Sequence, residues 1–289
     1  MRRRRMLITG ADGLLGGEMI DLFRGEYDVR ATDKGECDVT DPLDCRRTIG
    51  EFRPDIVVHC AAYTAVDRAE SEEPSAFAVN RDGTRNVARE CRARGALPVT
   101  FGSDYVFDGS SSLPYSEDDA ARPLSAYGRS KWAAEEALRA ESPDHLLVRS
   151  QWLYGPHGRN FAVAILEKAK RGEPLRVVSD QRGCPTYARD LAEATKRLLD
   201  VNARGTFHFS NAGDTTWYEF AAFLLAHAGR EPVSLVPALS ADLAYPAPRP
   251  AYSVLSKEKY RGATGDFPRR WEEAVLEYLK TAPEGGAVP

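Results

Sequence analysis

The sequence predicts an α/β protein built on a doubly wound parallel sheet, with a smaller α/β region at its C-terminal end. Three observations predict it. Short apolar runs alternate with longer amphipathic runs through the first half. One of the short runs, "DIVVHCA" at 55–61, is apolar almost throughout, as a strand covered on both faces must be. The regular alternation is lost after about residue 150, where helical stretches and short strands follow one another unevenly. Strands alternating with helices are the pattern of βαβ units, and these close into a sheet wrapped on both sides.

Taken in order, "MLITG" (6–10), "YDVRAT" (27–32), "DIVVHCA" (55–61), "PVTFGS" (98–103) and "HLLVRS" (145–150) are the strand candidates. Helical patterns fill 14–24, 42–52, 75–94 and 125–141 between them. Beyond 151, helices are predicted at 159–171, 188–200, 216–229 and 269–280, with "LRVVS" and "TFHFS" as short strands. The proline-rich "YPAPRPAYS" (245–253) reads as an ordered loop.

Composition limits the function. The chain has 289 residues, 43% hydrophobic and 28% charged, as expected of a globular protein with one large domain or two modest ones. A net charge of -4 and a pI near 5.8 point away from nucleic acid, which calls for a basic field. Arg2 to Arg5 form a basic run, but "MLITGADG" follows at once and is too short for the apolar core of a signal peptide. Apolar runs are too short to cross a membrane. Cys37, Cys45, Cys60, Cys91 and Cys184 are odd in number and lack CxxC pairing. They read as scattered thiols of a reducing, cytoplasmic protein, not as a disulfide framework or a zinc site.

Gly10, Gly13 and Gly16 in "TGADGLLG" lie at the first strand-to-helix junction. Glycines there permit a tight turn and let a pyrophosphate approach the free amides of the helix start. The same spacing occurs in ordinary glycine-rich turns; its place in a βαβ pattern favours a dinucleotide. Residues 1–150 therefore read as a Rossmann dinucleotide-binding domain. Residues 151–289 read as mainly a substrate-binding region, with some segments returning to the main sheet. Asp33 closes the second strand candidate, where a carboxylate can bond ribose hydroxyls and repel a 2′-phosphate. It is also a plausible turn residue of "TDKGE", and Lys34 beside it offsets the repulsion.

Tyr127 and Lys131 stand at i and i+4 of a predicted helix and so share a face. An ammonium one turn from a phenol stabilises phenolate, which lowers the phenol pKa and suits it to general acid catalysis near neutrality. YxxxK also arises by chance on amphipathic helices. Ser103, at the end of the preceding strand, adds a hydroxyl where doubly wound sheets gather their reactive groups.

Glycine loop, strand-end serine and YxxxK, in this order, resemble the extended, nucleotide-sugar-modifying branch of the short-chain dehydrogenases/reductases. "AAYTAVDRAE" (61–70), "SDYVFDG" (103–109), "YGRSK" (127–131), "RSQWLYG" (149–155), "NF" (160–161), "DQRGCPT" (180–186), "TTWYEFA" (215–221) and "RPAYS" (249–253) resemble the dTDP-4-dehydrorhamnose reductase family and its 4-ketoreductase relatives. The motifs cover nearly the whole chain. The resemblance implies reduction of the C4 ketone of a dTDP-4-keto-6-deoxyhexose, giving dTDP-L-rhamnose or a related deoxysugar. It implies NADPH as cofactor with NADH also accepted, a dTDP-sugar as partner, and allows a homodimer.

Carried over by motif, Gly10, Gly13, Leu14, Leu15 and Gly16 match the pyrophosphate loop and Asp33 the ribose acid. Asp38 and Val39 match the pair beside the adenine; Ala62, Tyr63 and Thr64 match the loop along the nicotinamide half. Ser103, Tyr127 and Lys131 match the catalytic trio, of which Tyr127 and Lys131 also touch cofactor and Ser103 substrate. Asp104 and Trp152 match substrate contacts, although a core role for the indole competes.

There are departures. Ser103 replaces the family's usual threonine and keeps the hydroxyl. His59 replaces an asparagine and reads as a satisfied core histidine. Some members bind magnesium at a subunit contact through glutamates; Glu18 fits one such position but Arg189 occupies another, so no metal site is expected. Gln151 stands before Trp152 where the family has serine, which bears on the sugar pocket. A 4,6-dehydratase on the same fold would need a glutamate after the aspartate, where Tyr105 stands. A non-catalytic regulatory subunit of this fold would not need the intact trio.

Overall fold

The computed structural model describes residues 3–229 and 234–281. Arg2 of the basic run, and residues 230–233 and 282–289 of the region expected to bind substrate, lie outside them. Six parallel strands form the central sheet: β1 (Arg5–Thr9), β2 (Asp28–Thr32), β3 (Ile56–His59), β4 (Leu97–Ser103), β5 (Leu146–Ser150) and β10 (Gly205–His208), in the order β10-β5-β4-β3-β1-β2. The chain runs outward from β1 to β2, then crosses back to β3 on the other side. That reversal opens a crevice at the carboxyl ends of β1 and β3, where doubly wound proteins bind ligands.

Strand side chains alternate between two cores. Met6, Ile8, Ile56 and Val58 face a layer that includes Met19 of α1 (Leu14–Phe23) and Leu191 and Leu198 of α8 (Ala188–Asp200). Leu7 and Val57 face α2 (Pro42–Phe52) and α5 (Thr84–Arg94), through Cys45, Ile49, Val87 and Cys91. Both faces of the inner strands are dry, which explains why their sequence reads as unbroken apolar runs. Local signals set the helix limits: Asp41 caps the Leu43 amide at 2.8 Å with Pro42 following it, and Ser125 caps Gly128 at 3.1 Å to open α6 (Ala126–Glu141).

The helix expected over 75–94 is not continuous. It consists of α4 (Glu73–Phe77), a π-helical segment at Ala78–Gly83 and then α5, preceded by the short α3 (Val66–Ala69). The bulge coincides with "NRDG", where asparagine and glycine weaken a regular helix.

The second half has its own core, in which Tyr154, Phe220, Trp271 and Tyr278 interleave. They come from β6 (Leu153–Tyr154), α9 (Trp217–His227) and α11 (Trp271–Thr281); α7 (Phe161–Lys170) lies alongside. Three two-stranded pairings brace it. β6 pairs β9 (Thr186–Tyr187), β7 (Leu175–Val178) pairs β12 (Leu235–Ala238), and β8 (Arg182–Gly183) pairs β11 (Thr215–Thr216). Strand β10 and helix α8 return to the first half, and α10 (Glu258–Thr264) packs Tyr260 onto the main core.

Helix α6 is fixed to the sheet by a buried ion pair. Arg149 of β5 donates to both Glu135 oxygens, at 2.9 and 2.8 Å, and Arg139 adds a bond at 2.7 Å. Arg149 and Glu135 are each about 2% exposed or less. Gly102 lies directly beneath: a Cβ there would stand 2.7 Å from both Arg149 Cγ and Glu135 Oε1. Removing one partner of a buried pair strands the other charge in a dry interior. Glu135→Ala is expected to lower unfolding free energy by about 3–5 kcal/mol, read as the shift of the urea midpoint; a change below about 1 kcal/mol would show that the pair is solvated.

Candidate active site

The crevice is floored by the glycine loop. Gly10 has φ +70°, and a Cβ on it would meet the Ala61 amide nitrogen at 2.5 Å. A Cβ on Gly16 would stand 2.1 Å from the Gly10 carbonyl oxygen, so loop and helix close on each other only without side chains. Gly13 is the N-cap of α1 and no side chain caps the helix. The first-turn amides of Leu14, Leu15 and Gly16 therefore face the crevice mouth without an internal acceptor. Uncapped amides under a glycine cradle suit an anion such as a pyrophosphate.

Asp33 lies at the end of β2, where it accepts the Asp12 amide of the glycine loop at 2.9 Å and its own neighbour's, Lys34, at 2.7 Å. It thus holds the glycine loop in place. Lys34 is exposed, its Nζ 4.0 Å from Asp38. Asp38 is tied to the Thr40 amide and hydroxyl, which hold its carboxyl below the usual range. Val39 is buried against Gly83, and Asn86 fixes its carbonyl at 3.0 Å.

Ala62, Tyr63 and Thr64 form the loop after β3. Asn80, inside the π segment, clamps it: its Oδ1 accepts the Tyr63 amide at 2.8 Å and its Nδ2 donates to the Tyr63 carbonyl at 3.2 Å. The same Nδ2 donates to Ser130 Oγ at 2.9 Å, between Tyr127 and Lys131 on α6. Asn80 was not singled out by the sequence reading. The pairing of asparagine and glycine in mid-helix was its one visible signal.

Ser103 ends β4, in register with Ser150 of β5. It donates to Asp104 Oδ1 at 3.1 Å and accepts the Tyr105 amide at 3.2 Å. Tyr127 stands over this hydroxyl, its ring edge-on to Tyr105 at 5.3 Å. Burial pushes the Tyr127 phenol up to about 12; Ser103 works against that and Asp104 adds to it. The expectation that Lys131 depresses this pKa does not hold: the lysine is not among the causes of the Tyr127 shift. Lys131 Nζ instead donates to the Phe101 carbonyl at 2.7 Å, beneath α6, and burial brings the lysine itself down to about 8. Both groups are desolvated, and desolvation sets the direction of each shift.

Asp104 is 2% exposed. Burial raises its pKa to about 6, against the lowering effect of the neighbouring Ser253 and Ser103 hydroxyls, and its Oδ2 has no partner among the described residues. Ser253 gives its proton to Gln151 Oε1 at 3.2 Å, so "RPAYS" is folded back beside the Ser103 site. Trp152 follows Gln151 with φ +48°, an uncommon conformation for a side chain of this bulk. Its indole stacks on Trp217 of α9, centroids 3.7 Å apart and planes 12° apart. His59 is buried, as expected of a core histidine, but only half satisfied: Nδ1 lies 2.7 Å from Thr9 Oγ1, while Nε2 has no partner among the described residues. Glu18 is buried near His157, and among the described residues no group of three metal-ligating side chains is found. Nor is any described helix long and apolar enough to cross a membrane.

A doubly wound sheet that brings serine, tyrosine and lysine together beside a glycine cradle is, as a class, that of the short-chain dehydrogenases/reductases. Comparison with known chains narrows the class. Residues 4–283 match the family model of the RmlD substrate binding domain. A dTDP-4-dehydrorhamnose reductase of Streptomyces griseus is 40% identical, over 95% of this chain and 93% of its own. The spore coat polysaccharide biosynthesis protein SpsK of Bacillus subtilis is also 40% identical, over 96% and 97%. The crystal structure of dTDP-4-dehydrorhamnose reductase from Bacillus anthracis in complex with NADP superposes with a TM-score of 0.94 at 35% identity, over 96% of this chain and 99% of that one. The chain belongs to the dTDP-4-dehydrorhamnose reductase family.

Asp104 yields a prediction on stability. Its folded pKa of about 6 exceeds the unfolded value, so the native state binds the proton more tightly. The stabilisation is complete below about pH 4 and is lost as pH rises through 6. Asp104→Asn removes the buried charge. It is expected to raise stability at pH 7.5 by roughly 1–3 kcal/mol and to flatten the fall between pH 4 and 6. Denaturant titrations across that range decide it: an unchanged slope would mean that another group titrates there.

Proposed function

We propose that this protein reduces the C4 ketone of a dTDP-4-keto-6-deoxyhexose, with dTDP-4-dehydrorhamnose to dTDP-L-rhamnose or a related deoxysugar as the reaction. The observation that carries the reading is the convergence of the Ser103 hydroxyl and the Tyr127 phenol at the carboxyl end of β4, beside an uncapped glycine cradle.

The cradle fits a nicotinamide dinucleotide: any Cβ at Gly10 or Gly16 would fill the space against loop backbone. A bound NADPH supplies the hydride. The first-turn amides of α1 hold the pyrophosphate, and Asp33 faces the adenosine ribose. Lys34, exposed beside it, meets a 2′-phosphate, so NADPH is used and NADH is also accepted.

Ser103 donates to the sugar carbonyl oxygen and orients it. Tyr127 keeps its proton at Oη across the physiological range and gives it to the developing alkoxide. Lys131 holds the nicotinamide ribose with the N–H left for the cleft and offsets the burial of the phenolate left behind. Asp104, Gln151 and Trp152 face the sugar; the bent-back "RPAYS" segment and Trp217 support them. Cofactor thus lies mainly on residues 1–150 and sugar mainly on 151–289.

Tyr127→Phe keeps the ring and removes the acid. Turnover of a dTDP-4-keto-6-deoxyhexose should fall by roughly 10²- to 10⁴-fold while NADPH affinity, read by fluorescence titration, stays near wild type. A variant with wild-type kcat would remove Tyr127 from the mechanism. Trp152→Ala should raise KM for the sugar nucleotide by roughly ten-fold or more, as loss of one buried aromatic contact implies, and leave NADPH binding little changed. Equal losses for both ligands would indicate a general folding defect.

A further inference from the structure

Behind the catalytic lysine, between the sheet and helices α5 and α6, lies a cavity of about 30 Å³. Its polar lining comes from five elements: His59 of β3, Thr100 of β4, Asn80 of the π segment, Thr84 of α5, and Lys131 and Glu135 of α6. His59 is 4% exposed and lines the cavity; its Nδ1 is taken up by Thr9, and its Nε2 is the one nitrogen of that ring with no partner among the described residues. A space of this size holds one water, and a water settles where two to four polar groups meet it.

We propose that this cavity is an internal water site whose water joins His59 Nε2 to the Lys131 ammonium, making His59 a positioning residue for the lysine. The bonding is self-consistent. Lys131 has three N–H donors; one goes to the Phe101 carbonyl, one to the water, and the third is left for the cleft. The water donates to Nε2. Nδ1 then carries the ring proton and donates to Thr9 Oγ1 at 2.7 Å, which fixes the tautomer. The ring stays neutral, because burial and the nearby Lys131 push its pKa down to about 3. The other titratable groups facing Lys131 are Glu135 and Cys60. Glu135 is already engaged by Arg149 and Arg139, and burial keeps the Cys60 thiol protonated. No titratable neighbour is thus left as an acceptor, and the water takes that place among the Thr84 and Thr100 hydroxyls that also line the cavity.

The inference rests on the proposed role of Lys131, so its test has one arm that needs no turnover. A high-resolution crystal structure of the wild-type protein with NADPH should show an ordered water within hydrogen-bond distance of both His59 Nε2 and Lys131 Nζ; an empty cavity, or a water touching only one of them, overturns the proposal. The second arm uses three variants, each checked for wild-type secondary structure. His59→Leu removes the acceptor. The ammonium loses a partner and its charged form is disfavoured, so the alkaline limb of the kcat profile should move about one pH unit lower, roughly a ten-fold loss of kcat above the wild-type limb. His59→Gln places a polar group near Nε2 and should restore the profile. His59→Asn reaches only the Nδ1 position, keeps the Thr9 bond and should behave like His59→Leu. A pH profile of His59→Leu that superimposes on wild type, or an asparagine variant that matches glutamine, sinks the idea. Absence of any dTDP-sugar turnover in the wild type would overturn the proposed function alone and leave the crystallographic arm standing.

Discussion

The Glu135–Arg149 pair ties helix α6 to the sheet over a residue with no side chain. Arg149 meets Glu135 across Gly102, and a single methyl group at Gly102 would collide with both. Everything in the reactive part of the crevice is measured from that contact. One turn of helix from Glu135 lies Lys131, tied to the carbonyl of Phe101, the residue before the glycine. One further turn lies Tyr127, over the hydroxyl of Ser103, the residue after it. Three successive residues of β4 thus meet three successive turns of α6. The helix register is set by a charge pair too buried to exchange for water, and the chemistry takes its spacing from it.

Burial sets the electrostatics as well. Phenol, ammonium and carboxyl in this crevice are each shifted toward their uncharged forms: Tyr127 to about 12, Lys131 to about 8, Asp104 to about 6. The shifts share one cause, removal from water, and the neighbouring charges only modify it. A site of this kind is costly to the fold and is held by structure elsewhere, here by the Glu135–Arg149 pair and by the Asn80 clamp.

Much of this was legible in the chain. The five strands of the first half, the glycine cradle and the order serine, tyrosine, lysine are local patterns, and local patterns survive in sequence. The expectation that some segments of the second half return to the main sheet also came from pattern, though pattern did not say which. What could not be read depends on contacts across distant positions. Tyr127 and Lys131 share a helix face as their spacing requires, but the direction of the phenol shift is decided by depth, which spacing does not encode. The break of the 75–94 helix into a π segment serves Asn80, whose partners lie 17 and 50 residues away. His59 was correctly placed in the core, yet its unpartnered nitrogen emerges only when the lysine behind it is in place. The family resemblance supplied roles for residues such as Asp104 and Trp152, and the fold adds what holds them there.

The stacked indoles carry a consequence of an optical kind. The chain has four tryptophans, and Trp152 and Trp217 lie face to face with centroids 3.7 Å apart. Transition dipoles at that separation couple, so the pair absorbs and rotates light as a unit distinct from Trp132 and Trp271. Near-ultraviolet circular dichroism should contain a couplet from this stack. Any ligand that turns or parts the two rings changes its amplitude, which makes the surroundings of Trp152 visible without a label, a coupled assay or a reaction.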